Sequence, residues 1–338
     1  MMKGVAYTLQ IADAGRELYK SDGTAAGSSI VKDINVGTGV GVNTELFVAS
    51  NNVLYFAGND GTTGTELWKS DGTTAGTVLV KELNPGTDNG NPRRFVEFKE
   101  KIYFNAASPQ GVELWETDGT TAGTKIVADI NPAAMGNSNP DRIIATKDGV
   151  YFFAQEDGSL YDFYKYDGTT LTKLIDANAA ASTVNTNYAV FSDAIYFSIS
   201  GKLFRSNGTA AGTFAVASKI TGSIDPASIT NITKVGNLVY FNGTLDSGAE
   251  LYKFNPVALT STNEIVIEDI KAYPNPTQGI LYIAQDYLNA DYTITDATGA
   301  TLQKGIIKAT QIQLPDYYGM QILRIAKNEK MYIKNSST

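Results

Sequence analysis

The acidic residues of a few short loops are the side chains of this sequence whose type and grouping could perform catalysis. Two carboxyl groups on either side of a glycosidic bond can hydrolyse it, one as an acid and the other as a base or nucleophile. The sequence has no histidine and no cysteine, which excludes thiol nucleophiles, thiolate zinc sites and triads that contain histidine. The candidate loop carboxylates are Asp60, Glu156, Asp157, Asp162 and Asp246.

A long repeat must position these loops. The stretch ELWKSDGTTAGTVLVKELNPG begins at Glu66, and close copies begin at Glu17 and Glu113. Weaker copies follow, so that successive Asp-Gly-Thr or Asn-Gly-Thr turns are 49, 47, 49 and 40 residues apart. A period of this length is typical of helical arrays or of four-stranded propeller blades. The repeated turn residues are Asp22, Gly23, Asp71, Gly72, Asp118, Gly119, Asp167, Gly168, Asn207 and Gly208.

Each repeat contains four short strand patterns and no helical periodicity. In the third repeat they are RRFVEFK, KIYFNAA, VELWETD and TKIVADI, which begin at Arg93, Lys101, Val112 and Thr124. We therefore predict an all-β chain with a β-propeller of about six four-stranded blades over residues 1–255. The strand order resembles kelch-type blades. Residues 4–11 match a second strand, so the first blade is expected to be incomplete; the alternative is a piece of a larger propeller.

The Asp-Gly-Thr segment is predicted to be the hairpin turn between the third and fourth strands of a blade. Asp71 can accept hydrogen bonds from backbone N–H groups about two residues on, while Gly72 and Gly76 can adopt positive φ angles. The segment also resembles the Asp-box of sialidase-like propellers, which is a structural turn remote from the ligand face. One carboxylate per turn provides too few oxygens for calcium, so we predict no metal site.

The same stretch resembles the ELWxxDGT repeat of large exported proteins from Bacteroidota and some other bacteria. The resemblance covers residues 4–255 and weakens at YKYDGT (164–169) and FRSNGT (204–209). It implies a propeller and an extracellular setting, and it implies no defined activity.

The repeat ends after residue 255, and the sequence pattern changes. Residues 256–268 read as a linker or a final strand, and the alternating patterns of residues 269–338 predict a small Ig-like β-sandwich. This module resembles the type A C-terminal sorting domain of the Bacteroidota type IX secretion system, although GMQILRI lacks an aromatic residue that the family often has. The resemblance implies a secreted or cell-surface location and the secretion machinery as a partner. The matching residues are Tyr273, Pro274, Asn275, Pro276, Gly279, Asp296, Gly299, Gly319, Lys330 and Lys334.

The charge distribution changes at the same boundary. The net charge is −8, and residues 269–338 contain seven Lys and Arg against six Asp and Glu, whereas the rest contains 20 against 29. An acidic body disfavours nucleic acid and anionic membranes as partners. No apolar run reaches the roughly 18 residues of a transmembrane helix. The first residues also lack the apolar core of a signal peptide, so we expect that the sequence is N-terminally truncated or that its start is wrongly placed.

Three functions fit these observations. The loops at residues 58–64, 107–111, 155–162 and 244–248 differ in sequence on a repeated frame, which favours a non-catalytic role in binding an extracellular glycan or protein. The alternative is a carbohydrate-active hydrolase that uses the loop carboxylates. A sialidase would also need clustered arginines, and strand alternation predicts that the adjacent Arg93 and Arg94 point to opposite sides. The third function is an architectural segment of a larger adhesin. We predict no catalytic residue and no cofactor.

Overall fold

The computed structural model describes residues 4–12, 15–49, 51–158, 160–176, 188–216, 227–245, 248–254, 256, 272–273, 280–283, 285–296, 300–315, 320–327 and 330–337. The described chain is almost entirely β. It divides into two compact units, one formed by Met1–Val184 with Ser206–Thr213 and the other by Asn185–Arg205 with Phe214–Thr338. None of the helical residues that the structure describes forms a segment long and apolar enough to span a lipid bilayer.

The first unit is a series of antiparallel sheets in which the strands follow chain order. The first described sheet has three strands, β1 (Ala6–Ala12), β2 (Gly15–Ser21) and β3 (Ser29–Lys32). The next has β4 (Val42–Val48), β5 (Leu54–Asn59), β6 (Thr65–Ser70) and β7 (Val78–Lys81). It is followed by β8 (Arg93–Phe98), β9 (Lys101–Ser108), β10 (Gly111–Thr117) and β11 (Lys125–Ala128), and then by β12 (Asp141–Thr146), β13 (Gly149–Gln155), β14 (Tyr161–Tyr166) and β15 (Leu171–Ile175).

Consecutive sheets of this unit pack face to face as propeller blades. The first strands β4, β8 and β12 contact one another in sequence. The second strand of each blade is apolar on both faces because a neighbouring blade covers each side; the first five residues of β5 are all buried. Trp68 and Trp115 occupy the third strands and are also buried, each in the core between two successive blades. Burial of large side chains on both faces, at roughly 25 cal/mol per Å² of apolar area, stabilises the stack.

The Asp-Gly-Thr turns join neighbouring blades. Each lies between the third and fourth strands, as the β6–β7 turn does around Asp71. In this turn the Asp71 Oδ1 accepts the Thr73 N–H (2.9 Å) and hydroxyl (2.7 Å), and Gly72 has a φ of 88°. The neighbouring blade then binds the outside of the turn, since Lys20 Nζ donates to Gly72 O at 3.2 Å. The turn is thus a structural joint that each blade needs in the same place.

The same joint recurs at the other repeated turns. Asp22, Asp118, Asp167 and Asn207 each accept the N–H of the threonine two residues on, at 2.8–3.1 Å. Gly23, Gly119, Gly168 and Gly208 all have positive φ angles. Between blades, Lys69 Nζ donates to Gly119 O at 2.8 Å and Lys81 Nζ donates to Thr124 O at 2.6 Å.

The second unit begins with two further blade-like sheets. One contains β16 (Ala189–Val190), β17 (Ile195–Ile199), β18 (Lys202–Ser206) and β19 (Phe214–Ala215). The other contains β20 (Ala227–Val235), β21 (Leu238–Leu245) and β22 (Gly248–Phe254). A common apolar core that includes Tyr196, Ile229 and Phe241 lies between them.

A two-sheet sandwich follows. One sheet has the order β23 (Ala272–Tyr273), β24 (Ile280–Ile283) and β27 (Gln311–Gln313). The other has the order β26 (Thr301–Ile306), β25 (Asp291–Asp296), β28 (Met320–Lys327) and β29 (Lys330–Ser337), and a 3₁₀ turn lies at Gln285–Tyr287. Residues from both sheets, such as Leu281, Ile312, Ile294 and Ile325, share one buried core. The structure confirms the predicted fold class: six blade sheets in the described chain, the first without its first strand, and then a β-sandwich.

Candidate functional site

Asp60, the first of the predicted loop carboxylates, lies in the turn between β5 and β6. Its Oδ1 accepts the N–H groups of Thr62 (2.8 Å) and Thr63 (2.9 Å) and the hydroxyls of both residues. Partial burial raises the pKa of Asp60, but these hydrogen bonds outweigh it and hold the pKa below its ordinary value of 3.8. A carboxylate with this many partners holds a turn, and because it stays ionised near neutral pH it has no proton to donate there.

The acidic group of blade four is bound to a lysine. Glu156 and Asp157 are exposed in the β13–β14 loop, whereas Asp162 lies within β14 and is buried. Lys173 Nζ forms ion pairs with Glu156 and with Asp162, the latter at 3.2 Å. Asp246 lies outside the described residues. The lysine shares its charge between two of the predicted carboxylates, and burial lowers the pKa of Lys173 less than these partners raise it.

A polar pocket of about 360 Å³ lies in the first unit, at the start of blade three. Its polar lining consists of Asn43, Asn91, Arg93 and Asn105, and the remaining lining residues are glycine, alanine, proline and valine. The link that enters β8 provides one wall, and the end of β9 provides another. This volume falls within the range of small-molecule sites, about 300–1,000 Å³.

The first strands of blades three and four carry matching β-bulges beside this pocket. In β8 the register shifts between Arg93 and Val96, and in β12 it shifts at the equivalent place after Asp141. Arg94 has a φ of 60° and Arg142 has a φ of 53°, a left-handed conformation that residues with a Cβ seldom adopt. Bulges of this kind redirect side chains. The strand is therefore not flat at Arg93 and Arg94, whereas the sequence-based argument from simple alternation had assumed a flat strand.

The redirected arginines surround one carboxylate. Arg94 Nε lies 3.0 Å from Asp141 Oδ1, and Arg142 Nε lies 3.7 Å from Asp141 Oδ2. Tyr161 is close by: burial raises the pKa of its hydroxyl above 10.0, Asp141 raises it further, and all three of Arg94, Arg142 and Arg93 lower it. The three guanidinium groups thus act on one place, which we call the arginine cluster.

Asn105 connects the arginine cluster to the pocket. This buried amide lines the pocket, accepts a hydrogen bond from Arg93 Nε at 3.3 Å and donates one to Pro140 O at 2.8 Å. Pro140 immediately precedes Asp141, so a single side chain ties the inner strands of two blades together. Arginine stays protonated and amides do not titrate, so this lining can bind and orient a polar ligand but cannot transfer protons.

A buried glutamate holds the pocket wall. Glu66 is fully buried and accepts the N–H groups of Leu83 (2.5 Å) and Gly90 (2.9 Å), and Gly90 lines the pocket. Glu17 and Glu113 occupy the same repeat position and are equally buried. Burial raises the pKa of Glu66 to about 7 despite its hydrogen bonds. Sequence analysis missed this role, although the recurrence of glutamate before a buried leucine in three repeats is a signal that could have revealed it.

The predicted sorting residues fall in and beside the sandwich strands. Tyr273 lies in β23, Asp296 ends β25, and its Oδ1 accepts the Ala300 N–H at 2.9 Å. Lys330 and Lys334 lie in β29, which pairs with β28 along its whole length. The predicted residues Pro274, Asn275, Pro276, Gly279, Gly299 and Gly319 lie outside the described residues. Across the described chain, no group of three or more acidic side chains is placed to hold a metal ion.

No protein-family model and no curated protein matches this sequence. Solved structures resemble it in fold. A prolyl endopeptidase structure is 10% identical, with a TM-score of 0.46, and the match covers 99% of this chain and 49% of that one. PorZ, a surface component of the type IX secretion system of Porphyromonas gingivalis, is 14% identical with a TM-score of 0.39 and coverages of 98% and 50%. The β-propeller domain of the Trilobed protease from Pyrococcus furiosus is 12% identical with a TM-score of 0.38 and coverages of 94% and 96%. The chain spans about half the length of the first two.

Proposed function

We propose that this protein is an exported, non-catalytic binding protein of the cell surface or the secreted fraction, and that its ligand occupies the polar pocket at the start of blade three. The observation that carries the proposal is the lining of this pocket. Three amide-bearing residues, Asn43, Asn91 and Asn105, line a cavity of about 360 Å³ together with Arg93. Convergent polar groups on a rigid frame are what a binding site needs.

The same lining supports binding rather than catalysis. Hydrolysis of a glycosidic bond requires one group that donates a proton and another that accepts one or attacks. The pocket lining contains a single ionisable side chain, Arg93, which remains protonated. The loop carboxylates proposed for the hydrolase alternative include Glu156 and Asp162, and both are ion-paired to Lys173.

A pocket-filling variant tests the binding proposal. Ala107 lines the pocket, so Ala107→Trp should fill it and abolish binding on an array of neutral and acidic glycans. Ala122 is exposed on an Asp-Gly-Thr turn, so Ala122→Trp is the matched control and should bind as the natural protein does. If both variants bind equally well, the pocket is not the binding site. Hydrolysis of an array glycan that Glu156→Gln abolishes would instead support the hydrolase alternative.

The proposed route of export is the type IX secretion system, and residues 269–338 are the proposed signal. This is supported by the order of the motif residues and by the change in charge at residue 269, from 20 basic against 29 acidic residues before it to seven against six after it. The last strand, β29, completes one sheet of the sandwich by pairing with β28. A translocation machinery that recognises the folded sandwich would therefore need this strand.

A fusion experiment tests the route. Residues 269–338 are placed after a Sec signal and a fluorescent protein in a type IX-competent cell, and the medium, surface and periplasm are fractionated. Export of the fusion is expected, and removal of residues 324–338, which include β29, should retain it in the periplasm. If the intact fusion also stays in the periplasm while an established sorting domain is exported in the same strain, the proposed route is wrong.

A further inference from the structure

Arginine is concentrated at the pocket. The sequence contains six arginines against 21 lysines. Three of the six form the arginine cluster, and a fourth, Arg16, donates from Nη2 to Asn43 Oδ1 at 3.2 Å on the pocket wall. Arginine presents a planar set of donors that matches an oxyanion, whereas lysine is a compact point charge. The choice of arginine here, in a chain rich in lysine, favours recognition of a planar anion.

The geometry of the cluster already contains such an anion. Arg94 and Arg142 lie on either side of the Asp141 carboxylate, at 3.0 and 3.7 Å. Both residues have left-handed backbone conformations at equivalent bulges. Strained backbone of this kind persists where the surroundings hold it, and it is concentrated at functional sites. Asp141 thus partly neutralises two arginines, and Arg93 adds a positive charge at the pocket itself.

Arg93 is the arginine of the cluster that lines the pocket. It is exposed, it lines the pocket, and Asn105 holds its Nε at 3.3 Å. The hydrogen bond at Nε fixes the guanidinium plane, which reduces the entropy lost when a ligand binds. No carboxylate is among the residues that line the cavity. The pocket lining therefore combines a positive charge that Asn105 holds with residues that carry amide groups.

We propose that the pocket binds a carboxylate-bearing saccharide. Arg93 binds the carboxylate, and the sugar hydroxyls form hydrogen bonds with the amides of Asn43, Asn91 and Asn105. Amides both donate and accept hydrogen bonds, as hydroxyl groups require, and the guanidinium forms charge-assisted bonds to a carboxylate. This inference rests on the proposed function and specifies its ligand. The charge on the ligand should matter more than the identity of the sugar ring.

Calorimetry with matched acidic and neutral saccharides tests the inference on the whole chain. The probes are tetragalacturonate with its methyl ester, and cellobiouronic acid with cellobiose. The natural protein should bind at least one acid about tenfold or more tightly than its neutral partner, because the guanidinium forms a charge-assisted hydrogen bond to the carboxylate that the neutral group cannot form. Raising the salt from 50 to 500 mM should weaken binding of the acid several-fold and leave the neutral partner unchanged.

Variants of Arg93 identify the residue responsible. Arg93→Gln should weaken binding of the acid about tenfold or more, and Arg93→Lys should have an intermediate effect because it keeps the charge and loses the planar donors. The control is Lys147→Gln, which removes the same charge from the exposed turn after β12. Six strand residues at about 3.3 Å each place this turn about 20 Å from Asp141. The control should change affinity less than about twofold, on the same charge argument.

The outcomes separate the inference from the proposed function. Equal affinity for acid and neutral probes, or an Arg93→Gln variant that binds the acid like the natural protein, overturns the carboxylate inference. If neutral saccharides bind and Ala107→Trp abolishes their binding, the proposed pocket is supported while the inference fails. If no saccharide binds and a peptide or a sulfated glycan does so in the same pocket, the inference also fails. If Ala107→Trp binds every probe normally, both fail.

Discussion

Glu66→Gln should reduce the pH dependence of stability between pH 5 and pH 8. The chain has no histidine or cysteine, so the side chains that titrate in this range are carboxyl groups with raised pKa values. Burial raises the pKa of Glu66 to about 7 from 4.5 and also raises the pKa values of Glu17 and Glu113. Between pH 4.5 and 7 the folded state therefore binds more protons than the unfolded state. The free energy of unfolding must fall as the pH rises through this range.

The magnitude follows from the shift. A difference of one pKa unit corresponds to about 1.4 kcal/mol, so a rise from 4.5 to about 7 gives a loss of about 3 kcal/mol across the range from Glu66. Glutamine cannot ionise and should remove this loss. Its NH₂ group must then face one of the donors, Leu83 N–H or Gly90 N–H, which costs about 1–3 kcal/mol at every pH. The variant should be less stable at pH 5 and comparable to the natural protein at pH 8.

Urea unfolding at pH 5, 6, 7 and 8 measures both effects. The two tryptophans of the chain, Trp68 and Trp115, are buried in the cores of blades one to three, so their fluorescence reports the unfolding of the blades that contain Glu66. Glu100→Gln is the matched control, since Glu100 is exposed in a hairpin turn, and its curve should parallel that of the natural protein. A natural protein of constant stability from pH 5 to 8, or a Glu66→Gln curve with the natural slope, would refute the reasoning.

Four further substitutions test the framework. Asp71→Ala removes the acceptor of the turn and should cost about 1 kcal/mol in a thermal melt without changing ligand affinity; a change in affinity alone would make the turn a binding site. Gly111→Ala places a Cβ 1.8 Å from a carbonyl oxygen and should cost about 3 kcal/mol or more, whereas Gly37→Ala, at nearly the same φ but with open space, should cost about 1 kcal/mol; equal costs would contradict the steric argument. Lys81→Met removes the bond to Thr124 O and should cost about 1 kcal/mol in urea unfolding, and no loss would show that this joint between blades contributes little.

Much of the fold could be predicted from the sequence because its determinants are local. The hydrogen bonds of the Asp71-Gly72-Thr73 turn are made within the turn itself. The same three residue types therefore predict the same hairpin wherever they recur. The strand patterns alternate or run apolar according to what covers them, and the 47–49 residue spacing of the strongest repeats measures the length of a blade. The sandwich was likewise predictable from alternating runs between Gly and Asp turns.

The site was less predictable because it is built from residues that are distant in the sequence. The acidic loop residues were predicted as candidate site residues from their composition alone. In the structure, however, Asp162 is buried in a strand and forms an ion pair with Lys173. The prediction for the adjacent pair Arg93 and Arg94 assumed a flat strand, whereas the structure has a bulge at this place. No local pattern indicates that Asn105 reaches Pro140, 35 residues later.

By itself, the sequence determined the all-β class, the number of blades in the described chain, the place of the Asp-Gly-Thr turns and the C-terminal sandwich. These features depend on hydrogen bonds and side-chain alternation within a few residues, and the same residue pattern recurs in each repeat. The tertiary structure alone decided that Glu66 is buried against a neighbouring link and that the arginines of two blades meet around Asp141. Those contacts arise when blades stack and inner strands bulge, and backbone shifts of that kind depend on the neighbouring blade as well as on the strand's own residues.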